Sequence, residues 1–347
     1  DNSNDTSSAV VNTQLNGTYT LGGASPDYAD FTTAVSDLNN FGVCGPVVFN
    51  VRAGTYNEKL LINQITGASS TNTITFQSET GDSSSVVLNT PSVDSTLANN
   101  YLIRMNGTDY LILKEMTLSR SGISANARVL DYTNVASYNL VTNCHLLGVN
   151  NGITTNSLGA LVYSSGGTPF NDSMNTFSNN LFENGSIGLY FNGVGTLSLE
   201  NGTTITGNQF INQFAFAMQL AYEQAPLITN NFVTSNSNHP GYTALFMSAC
   251  LRNTVISKNQ IAACPGHGFY FIDCSAFPVP RGRISNNFIN TTDSSGITML
   301  NGGNLDIVFN SVHVQGATAT NGALALRGVN YGMIVKDNAL VNSGGGY

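Results

Sequence analysis

One six-residue phrase recurs through the second half of the chain and limits what it can fold into: apolar, two residues, Asn, one residue, apolar. It reads Phe177-Ser-Asn-Asn180-Leu-Phe182, then Ile205-Thr-Gly-Asn208-Gln-Phe210, then Ile228-Thr-Asn-Asn231-Phe-Val233. It continues around Asn259, Asn287, Asn310 and Asn338, and Met116 and Cys144 hold the same phase without the amide. The steps between these positions are 28, 36, 28, 23, 28, 28, 23 and 28 residues. A repeat of this length means a solenoid in which each repeat buries its apolar face only against its neighbours.

A second phrase keeps step with the first, opening at Gly188, Ala217, Ala244, Gly268, Gly296 and Ala323. With a short apolar segment after each Asn, this gives about three strands per repeat. The expected fold is all-β: a single right-handed parallel β-helix of roughly ten coils, successive coils lying about 4.8 Å apart. Asn180, Asn208, Asn231, Asn259, Asn287, Asn310 and Asn338 are expected at a sharp corner, in left-handed backbone geometry, with their amides joined from coil to coil as a ladder.

Read in order, residues 1–22 are a polar lead-in ending in a short strand. Residues 23–62 form an N-terminal cap and first coil. Phe31, Ala34, Val35, Leu38 and Phe41 recur at helical spacing, so a helix is expected over about 27–41, covering the end of the solenoid. Residues 63–347 are the β-helix, expected to be uncapped at its C-terminal end. The 36-residue step places an insertion around 164–172, and other loop tips fall at 235–241 and 275–283.

Charged residues make up 9% of the chain, against 46 Asn, so its polar surface is built from amides and hydroxyls. With 12 Lys+Arg, a net charge of −8 and no basic stripe, nucleic acid is not an expected partner. No apolar run reaches the roughly 18–20 residues of a membrane span. The four His are scattered over different repeat phases and the five Cys show no metal spacing, so neither a metal nor another cofactor is expected. Cys250 and Cys274 share a phase one coil apart, which is within reach of a disulfide.

The repeat resembles the pectate-lyase-like β-helix superfold. The stretches Asp30-Phe-Thr-Thr-Ala-Val-Ser-Asp-Leu38 and Gly42 to Glu58 resemble the N-terminal cap of secreted, repeat-built surface proteins of gliding and related bacteria. That likeness implies export, often by the type IX route, and a place outside the cell or on its surface. Two enzyme families share the fold. Gly54-Thr-Tyr-Asn-Glu58 resembles the first signature of pectin methylesterases, but the Asp-centred catalytic signatures of that family have no counterpart. Gly266-His-Gly268 resembles a polygalacturonase signature and Arg283-Ile-Ser285 faintly resembles its Arg-Ile-Lys, yet no Asp lies between Asp172 and Asp273 to supply the carboxyl pair that inverting hydrolysis uses.

Two groups of candidate residues remain. Asp273, His267 and Arg281, with Arg327, are weak catalytic candidates if they gather on one flank. Tyr190, Phe246 and Tyr270 are expected to face outward from the second phrase and to offer a surface to a sugar ring or a partner. The function expected is that of a non-catalytic extracellular β-helix, structural, adhesive or fibre-forming. Its partners would be further copies of itself or a surface glycan. The alternative is a polysaccharide-active lyase or hydrolase, or a carbohydrate-binding protein, of the same superfold.

Overall fold

The structure, a computed structural model, describes residues 13–91, 97–150, 155–165, 171–276, 280–317 and 321–345. Lead-in residues 1–12, the middle of the insertion at 166–170 and the loop tip around Pro278 lie outside the described residues.

Each coil contributes one strand to each of three parallel sheets. Among the described residues these contain 12 strands (sheet A), 11 (sheet B) and 10 (sheet C). A representative coil runs through Leu227–Thr229 in sheet A, Phe232–Thr234 in sheet B and Thr243–Ser248 in sheet C. Like residues stack on like residues. Ile205, Ile228, Ile256, Ile284 and Ile307 form one buried column of sheet A. Phe182, Phe210, Val233, Ile261 and Ile289 do the same in sheet B. Leu189, Met218, Leu245, Phe269 and Ile297 do so in sheet C. Each fully buried side chain of this size contributes roughly 1.5–3 kcal/mol, so the repeated apolar positions drive the coil to close.

Between sheets A and B the seven amides form an unbroken ladder. Asn231 shows the pattern: its Nδ2 donates to Ile205 O at 2.9 Å and to Asn259 Oδ1 at 2.9 Å, and its Oδ1 accepts from Asn208 N at 3.0 Å and Asn208 Nδ2 at 3.1 Å. One detail differs from the sequence expectation. The left-handed residue is the one before each ladder amide: Asn179, Asn230, Lys258, Asn286, Phe309 and Asp337 have φ of 55°, 57°, 58°, 56°, 58° and 56°, with Gly207 at 68°. The preceding residue makes the reversal with its side chain outside. This leaves the next side chain aimed inward, where a group with both donors and an acceptor is needed.

At the N-terminal end, α1 (Phe31–Phe41) lays Phe31, Ala34, Val35 and Leu38 on the first coil. It starts later than the 27–41 expected. Asp27 bonds back to Thr20, accepting from its N at 2.7 Å and its Oγ1 at 2.8 Å, which holds residues 27–30 outside the helix. Asp30 caps α1 by accepting from Thr33 N at 2.8 Å. The strand expected in the lead-in, Leu15–Leu21, is part of the solenoid and pairs in parallel with Val43–Val51 as the first strand of sheet A. In the last described coil, Leu326, Val335 and Leu340 continue the core columns of Met299, Ile307 and Val312 but are about 40% exposed.

Candidate functional site

The outer face of sheet C carries one continuous column of side chains: Arg104, Asp131, Tyr163, Tyr190, Gln219, Phe246, Tyr270, Thr298 and Ala325. Strand alternation puts them there, since their neighbours Leu189 and Phe191, or Leu245 and Met247, are buried in the coil. Tyr163, Tyr190, Phe246 and Tyr270 are all partly exposed. The Tyr163 and Tyr190 rings are parallel, with centroids 5.2 Å apart, and those of Phe246 and Tyr270 are parallel at 6.1 Å. Gln219 occupies the coil between the two pairs.

The column is anchored at one end by an ion cluster. Asp131 is buried and accepts from Arg104 Nε at 2.6 Å and Arg128 Nη1 at 3.2 Å, while the Arg128 guanidinium lies 3.2 Å from the centre of the Tyr163 ring. Tyr163 was not among the sequence candidates because its coil opens on Leu161 where the others have Gly or Ala. The register nevertheless sets it directly beside Tyr190.

The catalytic candidates do not gather as a group, although His267 feels the charge of Arg327. His267 begins the strand His267–Ile272 and Asp273 follows its end, which separates them by roughly 20 Å of extended chain. Asp273 is a corner residue with φ 53°, and its Oδ1 accepts from Asn301 Nδ2 at 3.0 Å. Arg281 donates through Nε to Asp306 at 2.7 Å and through Nη2 to Gly332 O at 2.6 Å. Arg327 ends a strand of sheet C next to Leu300, in the coil that bonds Asn301 N to its carbonyl at 3.1 Å. His267 sits 5.0 Å from the Tyr270 ring, and burial, with the Arg327 charge adding, lowers its pKa below the ordinary histidine value.

The motifs that resemble enzyme signatures serve the fold. Glu58 of Gly54-Thr-Tyr-Asn-Glu58 accepts from the first amides of α1, Phe31 N at 3.2 Å and Thr32 N at 2.7 Å, and so caps the helix a second time. In Gly266-His-Gly268, a Cβ at Gly266 would stand 2.0 Å from Tyr242 O, and one at Gly268 would stand 2.5 Å from Gly296 O. Both glycines are required by the approach of the adjacent coils.

The corner between sheets C and A holds a polar column that the repeat phrases do not mark. Asp172, Glu200 and Glu223 are buried there, with Glu200 and Glu223 paired in register on successive coils. Ser164 Oγ is 2.9 Å from both Asp172 Oδ2 and Glu200 Oε1. A hydroxyl has one proton, so the second contact requires a proton on a carboxyl. Burial raises all three acids: Asp172 to about 6, Glu223 to about 7, and Glu200 well above the usual range with the neighbouring Glu223 and Asp172 charges adding. Thr203 Oγ1 donates to Glu223 Oε1, and the Oε2 atoms of Glu200 and Glu223 have no protein partner. The spacing between the two glutamates is 23 residues, the same as that between Asn208 and Asn231. That equality was the available sign that they stack.

Cys250 and Cys274 continue this column, one residue before the bridged Leu251 and Ser275. The disulfide expected between them is not formed, and both are buried free thiols. In a parallel stack the two side chains run alongside each other. Cys250 Sγ meets Ser248 O at 3.5 Å, and Cys274 Sγ meets Ile272 O at 3.4 Å. Among the described residues no group of three or more His, Cys, Asp or Glu is arranged to hold a metal ion, and no helix is long and apolar enough to cross a membrane.

Residues 170–340 match the family described as "Right handed beta helix region". This agrees with the three-sheet coil and with the pectate-lyase-like architecture that the repeat resembles. A comparison with curated proteins gives no match. Among solved structures, the chain is similar to the pectin methylesterase of Aspergillus niger, with 13% identity, 93% of this chain and 87% of that chain covered, and a TM-score of 0.45. It is also similar to pectate lyase Pel9A, with 14% identity, coverages of 89% and 72%, and a TM-score of 0.46. A third is PfbA, a surface adhesin of Streptococcus pneumoniae, with 11% identity, coverages of 88% and 87%, and a TM-score of 0.40. At these identities the likenesses concern the fold, and no activity follows from them.

Proposed function

We propose that this right-handed parallel β-helix is a non-catalytic extracellular scaffold, structural or adhesive, that engages a glycan through the outer face of sheet C. The observation that carries the reading is the column Tyr163, Tyr190, Gln219, Phe246 and Tyr270, which presents two aromatic pairs separated by one amide. Aromatic side chains of this kind supply apolar area at low entropic cost, and tyrosine adds a polar tip for hydroxyl groups. The carboxylate in that column, Asp131, is engaged by two arginines.

A second reading, a polysaccharide-active enzyme, draws on His267, whose Nδ1 is buried without a partner next to Tyr270 on this same face. Hydrolysis of a glycosidic bond generally uses two carboxyls around the sugar, and His267 has none in its strand.

Sedimentation with insoluble polysaccharides and whole cells separates the two readings when combined with assays for reducing ends and unsaturated products. The expected result is saturable binding lost in the Tyr190→Ala/Phe246→Ala pair, with no product. Turnover that disappears in His267→Ala would overturn the non-catalytic reading.

A further inference from the structure

A groove opens at the corner between sheets B and C, away from the aromatic column. It has a volume of about 300 Å³, and its walls include Asn150, Asn212, Gln213, Phe214, Asn236 and Asn238. None of its lining side chains is charged. At Ser237 and Asn238 it runs into a second depression of about 330 Å³ that extends past His239 to Asp293 and Ser294, so the one carboxylate on the combined lining is Asp293, at the far end. The two together follow the solenoid axis, because successive coils supply the lining.

The walls are fixed before any ligand arrives. Ser235 Oγ donates to Gln213 O at 3.0 Å, Ser237 Oγ donates to Phe214 O at 2.5 Å, and His239 N donates to Ser237 Oγ at 3.1 Å. The first two bonds tie the 235–239 loop to the previous coil and the third braces the loop internally, so little ordering remains to be done on binding. Where the two depressions meet, the Phe214 and His239 rings stack, with centroids 5.3 Å apart and planes 28° from parallel. Both rings are partly exposed.

Gln213 lies fully buried in the groove wall. Its Nε2 donates to Phe182 O at 3.0 Å, Asn184 O at 3.2 Å and Ile211 O at 3.1 Å, whereas its Oε1 finds no donor in the protein. A buried acceptor without a donor costs about 1–3 kcal/mol and calls for a hydroxyl or water to meet it.

The chemistry of the walls selects the ligand. Carboxamides each offer donors and an acceptor, which complements hydroxyl groups that both donate and accept. An anion would find no cationic side chain here, and a purely apolar ligand would leave the amides unpaired. An aromatic surface beside amides suits the C–H face of a pyranose. We propose that this groove binds an uncharged oligosaccharide. The site stands apart from the sheet C face and does not depend on that face binding anything.

Isothermal titration of the purified chain with cellohexaose, xylohexaose, mannohexaose and maltohexaose, and with hexagalacturonate as the acidic control, tests the proposal. At least one neutral oligosaccharide should bind saturably and hexagalacturonate should not. Phe214→Ala should weaken that binding about tenfold, from loss of the stacking surface. Asn238→Ala, at an exposed loop tip, should weaken it about threefold and serves if the Phe214 variant fails to fold. Leu197→Ala, at an exposed position outside the groove, should leave it unchanged. The proposal is overturned if no neutral oligosaccharide saturates or only the acidic one does. It is also overturned if both groove variants melt like wild type and retain full affinity.

Discussion

The two tight corners of the coil solve one problem with different chemistry. Each brings a polar side chain into the solenoid interior on coil after coil. At the corner between sheets A and B that side chain is Asn, and every described amide from Asn180 to Asn310 both donates to and accepts from its neighbours. At the corner between sheets C and A the column runs Asp172, Glu200, Glu223, Cys250 and Cys274, and two carboxyl oxygens go unmet. An amide can repeat indefinitely because it is donor and acceptor at once. A carboxyl stacks on a carboxyl only when a proton is shared, and a thiol stacks on a thiol with weak bonds alone. The first corner is therefore indifferent to pH and the second is not.

The largest effect is expected from breaking the amide ladder. Asn231→Ala would strand Asn208 N, one Nδ2 proton of Asn208 and Ile205 O inside the solenoid. The expected loss is about 3–5 kcal/mol at every pH, read from chemical denaturation. A loss under 1 kcal/mol would show that the ladder is incidental to the coil. The carboxyl corner should respond with the opposite sign. Glu223→Gln replaces a group that must keep its proton with one that needs none, and should raise the melting temperature at alkaline pH by a few degrees while changing little at acidic pH. The smallest effect concerns the thiols. In the native protein only the exposed Cys44 should react rapidly with Ellman's reagent, and all five should react after denaturation without reductant. Burial pushes the Cys144 and Cys264 thiols up to about 12, which keeps them unreactive. Three titratable thiols in the denatured chain would restore the Cys250–Cys274 bond.

The same contrast explains what the sequence made legible. The amide corner repeats the same residue, so Asn180 to Asn338 located the coils and the three-sheet fold without coordinates. The φ values then moved the left-handed position back by one residue, a detail that residue identities mask because Asn179, Asn230 and Asn286 are themselves asparagines. The carboxyl corner changes identity twice in five coils, from Asp to Glu to Cys, so no phrase announces it. The aromatic column was partly readable because strand alternation fixes its direction. Tyr163 escaped because its coil begins with Leu161. The corner groove was not readable at all, since loops 212–214 and 235–239 come together only once the coils stack.

The pH dependence of unfolding tests the difference between the corners most directly. Asp172 and Glu223 bind protons in the folded chain up to about 6 and about 7, and Glu200 does so well above its usual range. Between the ordinary carboxyl values and these, the folded state holds more protons than the unfolded one, so stability falls as pH rises. Asp131 and Asp109, also raised by burial, act in the same direction, while His267, with its pKa lowered, opposes them below its ordinary value. Denaturation midpoints measured from about pH 5 to about pH 8 should fall in the wild type and fall less in Glu223→Gln. A wild-type midpoint that is flat or rises over that range, or a Glu223→Gln profile that parallels it, would contradict the account.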